Sequence, residues 1–316
     1  MVLALPFEIQ LILFLQNIIA GNDVLIGLFV LFTQLGDVTL IGLIISFLYL
    51  AYDKEKGIDM ALALTAVQIF NGMIKNVFLR VRPYAAHRQI SCLHPVEPEY
   101  DIYDLDHQGY SFPSGHATNV SAAVTFLWKQ LQGRKYLGII AIFLTALSRV
   151  VLGVHYPSDV LFGMLLGLAG THSVMSIEKR WGRDRAFLIL LVMSLPGIFY
   201  CRSDDYFSSI GLFAGFALGQ LFERRHVGFR NTRDPIKTIL RTLIGGLLLL
   251  GVSNALKLPF DKEFLEADSL ISHLYRSFRY LCGAFAVTGL LPILLKCNIL
   301  KIDDKMKEDE HADNLG

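Results

Sequence analysis

The sequence has few charged residues and few cysteines. Asp, Glu, Lys and Arg make up 18% of its 316 residues, whereas about 25% is usual in soluble proteins. The four cysteines, at positions 92, 201, 282 and 297, show neither CxxC spacing nor a Cys/His pattern, so neither a metal site nor a cofactor is expected. The net charge of +1 gives no reason to expect nucleic acid as a partner. These shortages argue against a zinc protein and against a nucleic-acid-binding protein.

Hydrophobic residues make up 53% of the chain, and the charges cluster between long apolar runs. This pattern predicts an all-α, polytopic bundle of transmembrane helices. A six-helix core is predicted over 36–203, additional membrane helices over 204–300, and a charged tail over 301–316. The predicted spans are about 37–52, 57–78, 115–132, 136–153, 157–177, 186–201, 206–222, 236–256 and 274–296.

The N-terminal segment, 1–35, is apolar but interrupted by polar residues such as Glu8 and Asp23. It is expected to form one or two amphipathic helices at the membrane interface, with a single span as the alternative. A cleavable signal peptide is not expected, because the segment lacks a basic start and carries Glu8 early.

Basic residues are concentrated in four loops that the span count places on one side of the membrane, at 53–56, 133–135, 178–185 and 223–237. Cytoplasmic loops carry an excess of Lys and Arg, so this side is predicted to be cytoplasmic. The polar motifs described next would then face the extracytoplasmic side of a plasma or inner membrane. One span more or less would reverse this orientation.

The first polar motif is Lys75-x6-Arg82-Pro83, at the end of the second predicted span. Two cations about two helical turns apart can approach the same membrane surface. There they could bind phosphate oxygens, for which Arg offers a bidentate fork. Pro83 is expected to end the helix. The alternative is a basic flank whose side chains extend to lipid headgroups.

The second motif is Pro113-Ser114-Gly115-His116, at the start of the third predicted span. Ser favours the N-cap position, and Gly allows close backbone approach. The N–H groups at a helix N-terminus form an anion site, and His116 would lie at its mouth. The alternative is an ordinary cap followed by an interfacial histidine.

The third motif is Ser148-Arg149-x5-His155-x3-Asp159. Pro157 is a favourable first residue for the next helix, which places Asp159 in its first turn. An Asp near a His can fix its tautomer and stabilise its imidazolium form, leaving the other ring nitrogen free to attack phosphorus. The alternative is a capping Asp beside a hydrogen-bonded His.

None of the three motifs is decisive alone. They occur in order, however, each at the end of a predicted span and all on the same predicted side. Charged groups are costly within a bilayer and usually functional there, so the set predicts a phosphate-binding site with a nucleophile. A polar loop of roughly 30 residues before Pro113 is expected to cap or line its entrance, or else to be a solvated connector.

The three motifs together resemble, without a departure, the signature of the type 2 phosphatidic acid phosphatase (PAP2) superfamily. That superfamily comprises membrane lipid phosphatases, glucose-6-phosphatase and vanadium haloperoxidases. The signature covers about 75–159, and the flanking spans extend the resemblance to roughly 37–201. The early amphipathic segments and the loop before His116 have a looser similarity to sphingosine-phosphate-phosphatase-type members.

The resemblance implies a metal-independent lipid phosphatase that hydrolyses a lipid phosphate monoester or pyrophosphate through a phosphohistidine. His155 would be the nucleophile, Asp159 would orient it, and His116 would protonate the leaving alkoxide. The substrate would be a lipid phosphate reached among membrane lipids. The phosphoryl oxygens would be held by Lys75, Arg82, Ser114, Gly115 and Arg149.

Three alternatives stay open: a lipid phosphotransferase or transporter with the same pocket, a vanadate-dependent haloperoxidase, and an inactive helical scaffold. The many predicted spans argue against the haloperoxidase, whose resembling members are soluble. The residues do not rank phosphatidic acid, phosphatidylglycerophosphate, polyprenyl (pyro)phosphate and sphingoid-base phosphate as substrates. Gly245, Gly246 and Gly251 would permit close helix contacts, for which internal packing is preferred over a homodimer.

Overall fold

The computed structural model describes residues 4–296, and within this range the chain forms helices and loops without a β-strand. The predicted all-α bundle is confirmed. The predicted charged tail, 301–316, lies outside the described residues.

The N-terminal part contains a bent pair of helices that follows a first, separate helix. A 3₁₀ turn, Gln34–Gly36, separates two apolar helices that meet at an angle of 47°. The predicted boundary at residue 35 falls inside this pair. The helices of this part are α1 (Pro6–Ile19), α2 (Asp23–Thr33), α3 (Val38–Phe47), which a π-helical turn continues over Leu48–Tyr52, and α4 (Lys54–Phe78).

The middle part contains the long polar loop and four longer helices. The third predicted span, 115–132, is helical only as far as Leu127, and turns follow it. A 3₁₀ turn over Leu195–Phe199 extends the last helix of this part. The helices are α5 (Pro83–Ala86) and α6 (Leu105–Gln108) within the loop, then α7 (Gly115–Leu127), α8 (Lys135–Val151), α9 (Pro157–Trp181) and α10 (Arg183–Ser194).

Within the described residues, the C-terminal part consists of three longer helices and two short ones. A π-helical turn, Ala286–Leu290, joins its last two helices. These helices are α11 (Asp204–His226), α12 (Pro235–Ala255), α13 (Lys262–Glu266), α14 (Leu270–Phe285) and α15 (Leu291–Lys296).

The chain is an integral membrane protein by the length and apolarity of its helices. Within residues 4–296, four helical segments are long and apolar enough to cross a membrane. The bent pair α2–α3 would be a fifth span if its two helices cross the membrane as one unit. The other predicted spans coincide with helices that are shorter or more polar. The four long apolar segments are Lys54–Ala86, Pro157–Trp181, Pro235–Ala255 and Leu270–Lys296.

Helix α4 lies at the centre of the bundle, in contact with α3, α7, α9, α10 and α11. Its start meets the basic loops, where Lys54 pairs with Glu223 at 3.2 Å and Glu55 with Arg183 at 2.5 Å. Its 25 residues rise by about 37 Å, so its end, with Lys75, lies at the opposite face of the bundle.

Helices α11 and α14 pack closely because α11 has glycine at every fourth position. A Cβ on Gly211 would lie 2.2 Å from the carbonyl oxygen of Ser277, and one on Gly215 would lie 2.3 Å from that of Leu281. Small residues at this spacing allow backbones to touch within a membrane. Gly245 and Gly246, singled out in the sequence, lie against Leu50 and Leu43 of the same chain.

Candidate active site

The first motif lies where α4 ends. The helix stops at Phe78 because Leu79 adopts the left-handed conformation, with φ of 48°, and its N–H donates to the carbonyl of Lys75. Such a residue is a common helix cap. Arg82 then has extended backbone, with ψ of 151°. The expectation that Lys75 and Arg82 are related by two helical turns is therefore wrong.

The guanidinium of Arg82 is buried and held by backbone carbonyls. Its Nε donates to the carbonyls of Gln108 and Gly109 at 2.9 and 3.0 Å, and one terminal nitrogen donates to that of Val154 at 3.1 Å. Gln108 is itself buried and accepts the N–H of Glu97 at 3.2 Å. The long polar loop thus lines the site, and the acceptors that it supplies to Arg82 are neutral.

Lys75 has a different kind of partner. Its Nζ lies 2.8 Å from Oδ2 of Asp205, in the first turn of α11. The lysine side chain is 6% exposed, whereas that of Asp205 is 65% exposed. The C-terminal part of the chain therefore contributes a carboxylate to a cation of the first motif.

The second motif forms the N-terminus of α7 as predicted. Ser114 is the N-cap, and its N–H donates to the carbonyl of Asp159 at 3.0 Å, which joins the second motif to the third. A Cβ on Gly115 would meet only Gln68 within 4 Å, at 3.9 Å, so the helix start is open to an anion. His116 follows, partly exposed, with Nε2 3.9 Å from Oδ2 of Asp37.

The third motif spans the turn from α8 to α9. Arg149 is buried in the last turn of α8, and its guanidinium donates to Oγ1 of Thr33 at 2.8 Å. Its backbone carbonyl accepts the N–H of His155 at 3.3 Å. Pro157 is the first residue of α9, as predicted, and Asp159 lies in its first turn. The turn brings the histidine back over the end of α8.

His155 lies between a cation and a carboxylate. Its Nε2 is 3.4 Å from a terminal nitrogen of Arg82, and its Nδ1 is 3.6 Å from Oδ2 of Asp159. Burial, and then the charges of Arg82 and Arg149, hold the pKa of His155 well below its usual range. The imidazole is therefore neutral at pH 7, which leaves a ring nitrogen with a free lone pair.

The three motifs converge on one region at the end of α4. Arg82 of the first motif lies 3.4 Å from His155 of the third, and the N–H of Ser114 of the second donates to the carbonyl of Asp159 at 3.0 Å. No group of three or more His, Cys, Asp or Glu side chains placed to hold a metal occurs in the described part of the chain. The arrangement can hold a tetrahedral anion among three cations, with two imidazoles beside it.

Two buried charged residues that the sequence analysis did not assign also belong to this region. Arg80 donates to Oδ1 of Asp159 at 2.5 Å and to Oε2 of Glu8 at 2.9 Å, and Glu8 also accepts the hydroxyl of Ser158 at 2.5 Å. Glu8 was expected at the interface but is fully buried. The sequence did contain a sign that Glu8 is paired, because a carboxylate in an apolar helix is costly unless it has a partner.

An all-helical membrane bundle with a buried, mainly cationic polar site at one end defines a class of membrane proteins that bind anionic groups. Residues 56–183 match the model of the PAP2 superfamily, and residues 207–301 match that of the PAP2 superfamily phosphatase transmembrane extension. The chain therefore belongs to the PAP2 superfamily and carries its transmembrane extension. No solved structure matches it significantly.

Curated relatives are named as phosphatases. The undecaprenyl-diphosphatase of Sulfolobus acidocaldarius is 35% identical over 115 residues, covering 36% of this chain and 51% of the relative. The phosphatidylglycerophosphatase B of Bacillus subtilis is 32% identical over 142 residues, covering 41% and 61%. The decaprenylphosphoryl-5-phosphoribose phosphatase of Mycobacterium tuberculosis is 44% identical over 79 residues, covering 24% and 41%. The chain thus spans about half the length of the relatives it matches.

Proposed function

We propose that this chain is a lipid phosphatase that hydrolyses a lipid phosphate monoester or pyrophosphate through a phosphohistidine, without a metal ion. The observation that carries the proposal is the environment of His155, with one ring nitrogen beside Arg82 and the other beside Asp159. A neutral imidazole held in this way is suited to nucleophilic attack on a phosphoryl group.

In the first step, Nε2 of His155 attacks phosphorus and the bond from phosphorus to the leaving oxygen breaks. The negative charge of the bound phosphoryl group offsets the cations around His116 and favours its protonated form. His116 then gives its proton to the leaving oxygen, so the lipid leaves as an alcohol or as a lipid monophosphate. Asp159 stabilises the positive charge that develops on the imidazole as the phosphorus–nitrogen bond forms.

The phosphoryl oxygens are held throughout by the cations of the site. Lys75, Arg82 and Arg149 supply the charge, and the helix start at Ser114 and Gly115 supplies N–H donors. Stabilising these oxygens and fixing their position is the main contribution that a protein makes to phosphoryl transfer.

In the second step, water attacks phosphorus and the phosphorus–nitrogen bond breaks. His116, neutral after the first step, accepts a proton from the attacking water. Inorganic phosphate leaves, and His155 regains its neutral form. Both histidines thus return to their starting protonation states.

The names of the relatives support a phosphorylated lipid as the substrate class. The undecaprenyl-diphosphatase and the phosphatidylglycerophosphatase are named for phosphorylated lipids, which supports a lipid phosphate or pyrophosphate. The basic loops gather at the start of α4, at the other end of that helix from Lys75. By the positive-inside rule the site would then face the extracytoplasmic side.

The test is a phosphate-release panel across the candidate lipid classes in detergent, with His155→Ala compared with wild type. We expect His155→Ala to lose phosphate release by about 10⁴-fold or more, because the reaction has no nucleophile without it. The matched control is His172→Ala, since His172 is exposed on α9 and bonds only within its own helix. EDTA should leave the wild-type rate unchanged.

Full activity of purified His155→Ala would refute the assignment, and a strict requirement for added Mg²⁺ would refute the metal-independent route. Transfer of labelled phosphate to an acceptor other than water would identify a phosphotransferase instead.

A further inference from the structure

The carboxylate of Asp159 is held on both oxygens. Oδ1 accepts a hydrogen bond of 2.5 Å from Arg80, and Oδ2 accepts the N–H of Tyr156 at 2.8 Å while lying 3.6 Å from Nδ1 of His155. The side chain is fully buried. Its orientation toward the histidine therefore depends on the groups that hold both oxygens, and Arg80 is the side chain that holds Oδ1.

Arg80 is itself fixed by several groups. Its terminal nitrogens donate to Oε2 of Glu8 at 2.9 Å and to the hydroxyl of Ser158 at 2.7 Å, and its guanidinium carbon lies 4.0 Å from the centre of the Tyr156 ring. The arginine is 3% exposed and Glu8 is fully buried. Fixed, buried partners of this kind set the orientation of the groups they contact.

Glu8 is also held from two sides. Its Oε2 accepts the N–H of Leu5 at 2.9 Å, and its Oε1 accepts the N–H of Ser158 at 3.0 Å. The result is a buried row of alternating charge that runs from α1 through Arg80 to Asp159. The row contains two carboxylates and one guanidinium, so one negative charge is left over, and Asp159 places it next to the imidazole of His155.

The two arginines of the segment after α4 are thus used differently. Both terminal nitrogens of Arg80 are engaged by Glu8 and by residues of α9, and two carboxylates neutralise its charge. Arg82 is bonded only to neutral carbonyls and lies beside His155. Of these two arginines, only Arg82 is in a position to bind a phosphoryl group.

We propose that Arg80 is a positioning residue: held by Glu8 of α1, its guanidinium fixes Asp159 so that the carboxylate faces Nδ1 of His155. This role rests on the proposed nucleophile, and it brings the N-terminal helix into the machinery of the reaction. When Nε2 attacks phosphorus, the leftover negative charge of the row balances the imidazolium that forms.

The test compares Arg80→Ala, Arg80→Lys and Glu8→Gln with wild type. We expect Arg80→Ala to lower kcat by about 100-fold, the cost of a misplaced catalytic group, while KM stays unchanged because Arg80 does not hold the substrate. Arg80→Lys should recover little, since an ammonium cannot replace the planar fork. Added guanidinium ion should partly restore Arg80→Ala, and Glu8→Gln should lie between wild type and Arg80→Ala.

Two ligands give a readout that needs no turnover. Vanadate adopts the five-coordinate geometry of phosphoryl transfer and so depends on an aligned His155, whereas inorganic phosphate is held by the cations. We expect Arg80→Ala to lose vanadate affinity while keeping phosphate affinity. The matched controls are Asp23→Asn and Arg185→Lys, two exposed residues outside the motifs, and both should behave as wild type.

Retention of wild-type kcat and vanadate affinity by Arg80→Ala would overturn the proposal. So would an equal loss of phosphate and vanadate affinity with a raised KM, which would mean that Arg80 contacts the phosphoryl group or only supports the fold. If wild type releases no phosphate from any lipid, the proposed function fails, and the vanadate-to-phosphate comparison still decides the role of Arg80.

Discussion

At the scale of single residues, the groups around a buried titratable side chain decide its protonation state. His155 shows this most clearly, because its ring lies within reach of one guanidinium and one carboxylate but makes no close hydrogen bond to the carboxylate, at 3.6 Å. Its protonation state then depends on burial and on the arginines rather than on that carboxylate.

The pH dependence of the reaction tests this balance. The pKa of His155 is lowered, first by burial and then by Arg82 and Arg149, so the imidazole stays neutral as the pH falls through its usual value of about 6.5. We therefore expect kcat/KM, which reports the free enzyme, to persist below pH 6.5 and to decline only at lower pH. The measurement is a pH–rate profile at constant ionic strength.

Salt provides the control for this profile. Burial is the largest cause of the shift, and burial is not screened by ions, so the acid limb should stay in place when the salt concentration is raised. An acid limb at or above pH 6.5 would contradict the neutral nucleophile.

The residues that could be identified from the sequence are those whose spacing is local. Ser114, His116, His155 and Asp159 each lie next to a helix start, where capping rules apply. The pair of Glu8 with Arg80 joins residues 72 apart, and no local pattern encodes it. The predicted end of the second span, at about residue 78, agrees with the end of α4 at Phe78, but the left-handed backbone of Leu79 was not predicted, because leucine rarely adopts it.

At the scale of elements, α11 connects the extension to the site. The two neighbouring carboxylates at its start bind different cations. Asp204 pairs with Arg276 of α14 at 2.8 Å, and Asp205 pairs with Lys75 of α4 at 2.8 Å. Asn76 of α4 also donates to the hydroxyl of Ser203 at 2.7 Å. The predicted boundary at 203 therefore falls at a contact between the two parts and stays a prediction.

Removing the charge of Asp205 should strengthen phosphate binding. Phosphate must compete with this carboxylate for Lys75, and a partly exposed ion pair contributes at most about 1 kcal/mol. We expect Asp205→Asn to lower the inhibition constant of inorganic phosphate by up to about 5-fold. Asp204→Asn is the neighbouring control and should leave that constant unchanged. Weaker phosphate binding in Asp205→Asn would show that Asp205 instead orders the lysine.

The glycines of α11 should be intolerant of even one added carbon. A Cβ on Gly215 would lie 2.3 Å from a backbone oxygen, which cannot move aside as a side chain can, whereas one on Gly251 would meet nothing within 4 Å. We expect Gly215→Ala to lower the free energy of unfolding by about 1–3 kcal/mol and Gly251→Ala to be neutral or stabilising. Thermal melts in detergent measure both, and equal melting temperatures would contradict the packing.

At the scale of the whole molecule, the two ends of the bundle differ in kind. The end at Lys54 carries ion pairs among the basic loops, such as Arg183 with Glu55. The other end carries the three motifs. Apolar periodicity was enough to predict this division, because each motif lies at an end of a helix. The number of spans was harder to predict, because several helices are short or polar.

Sidedness can be measured directly on cells. Glu99→Cys, in the exposed loop near the site, and Arg185→Cys, among the basic residues, would each be placed in a cysteine-free chain. We expect a membrane-impermeant maleimide to label position 99 on intact cells and position 185 only after lysis, because basic loops face the cytoplasm. The reverse pattern would place the site on the cytoplasmic side.

The carboxylates from α1 and α11 also bear on how such a protein could be recombined. A chimera that placed residues 56–183 of this chain between the flanking helices of another protein would keep every signature residue but would lose Asp205 and Glu8, the partners of Lys75 and Arg80. Transferring the signature residues alone would therefore not transfer a working site. The flanking helices and the motifs are expected to function only as a matched set.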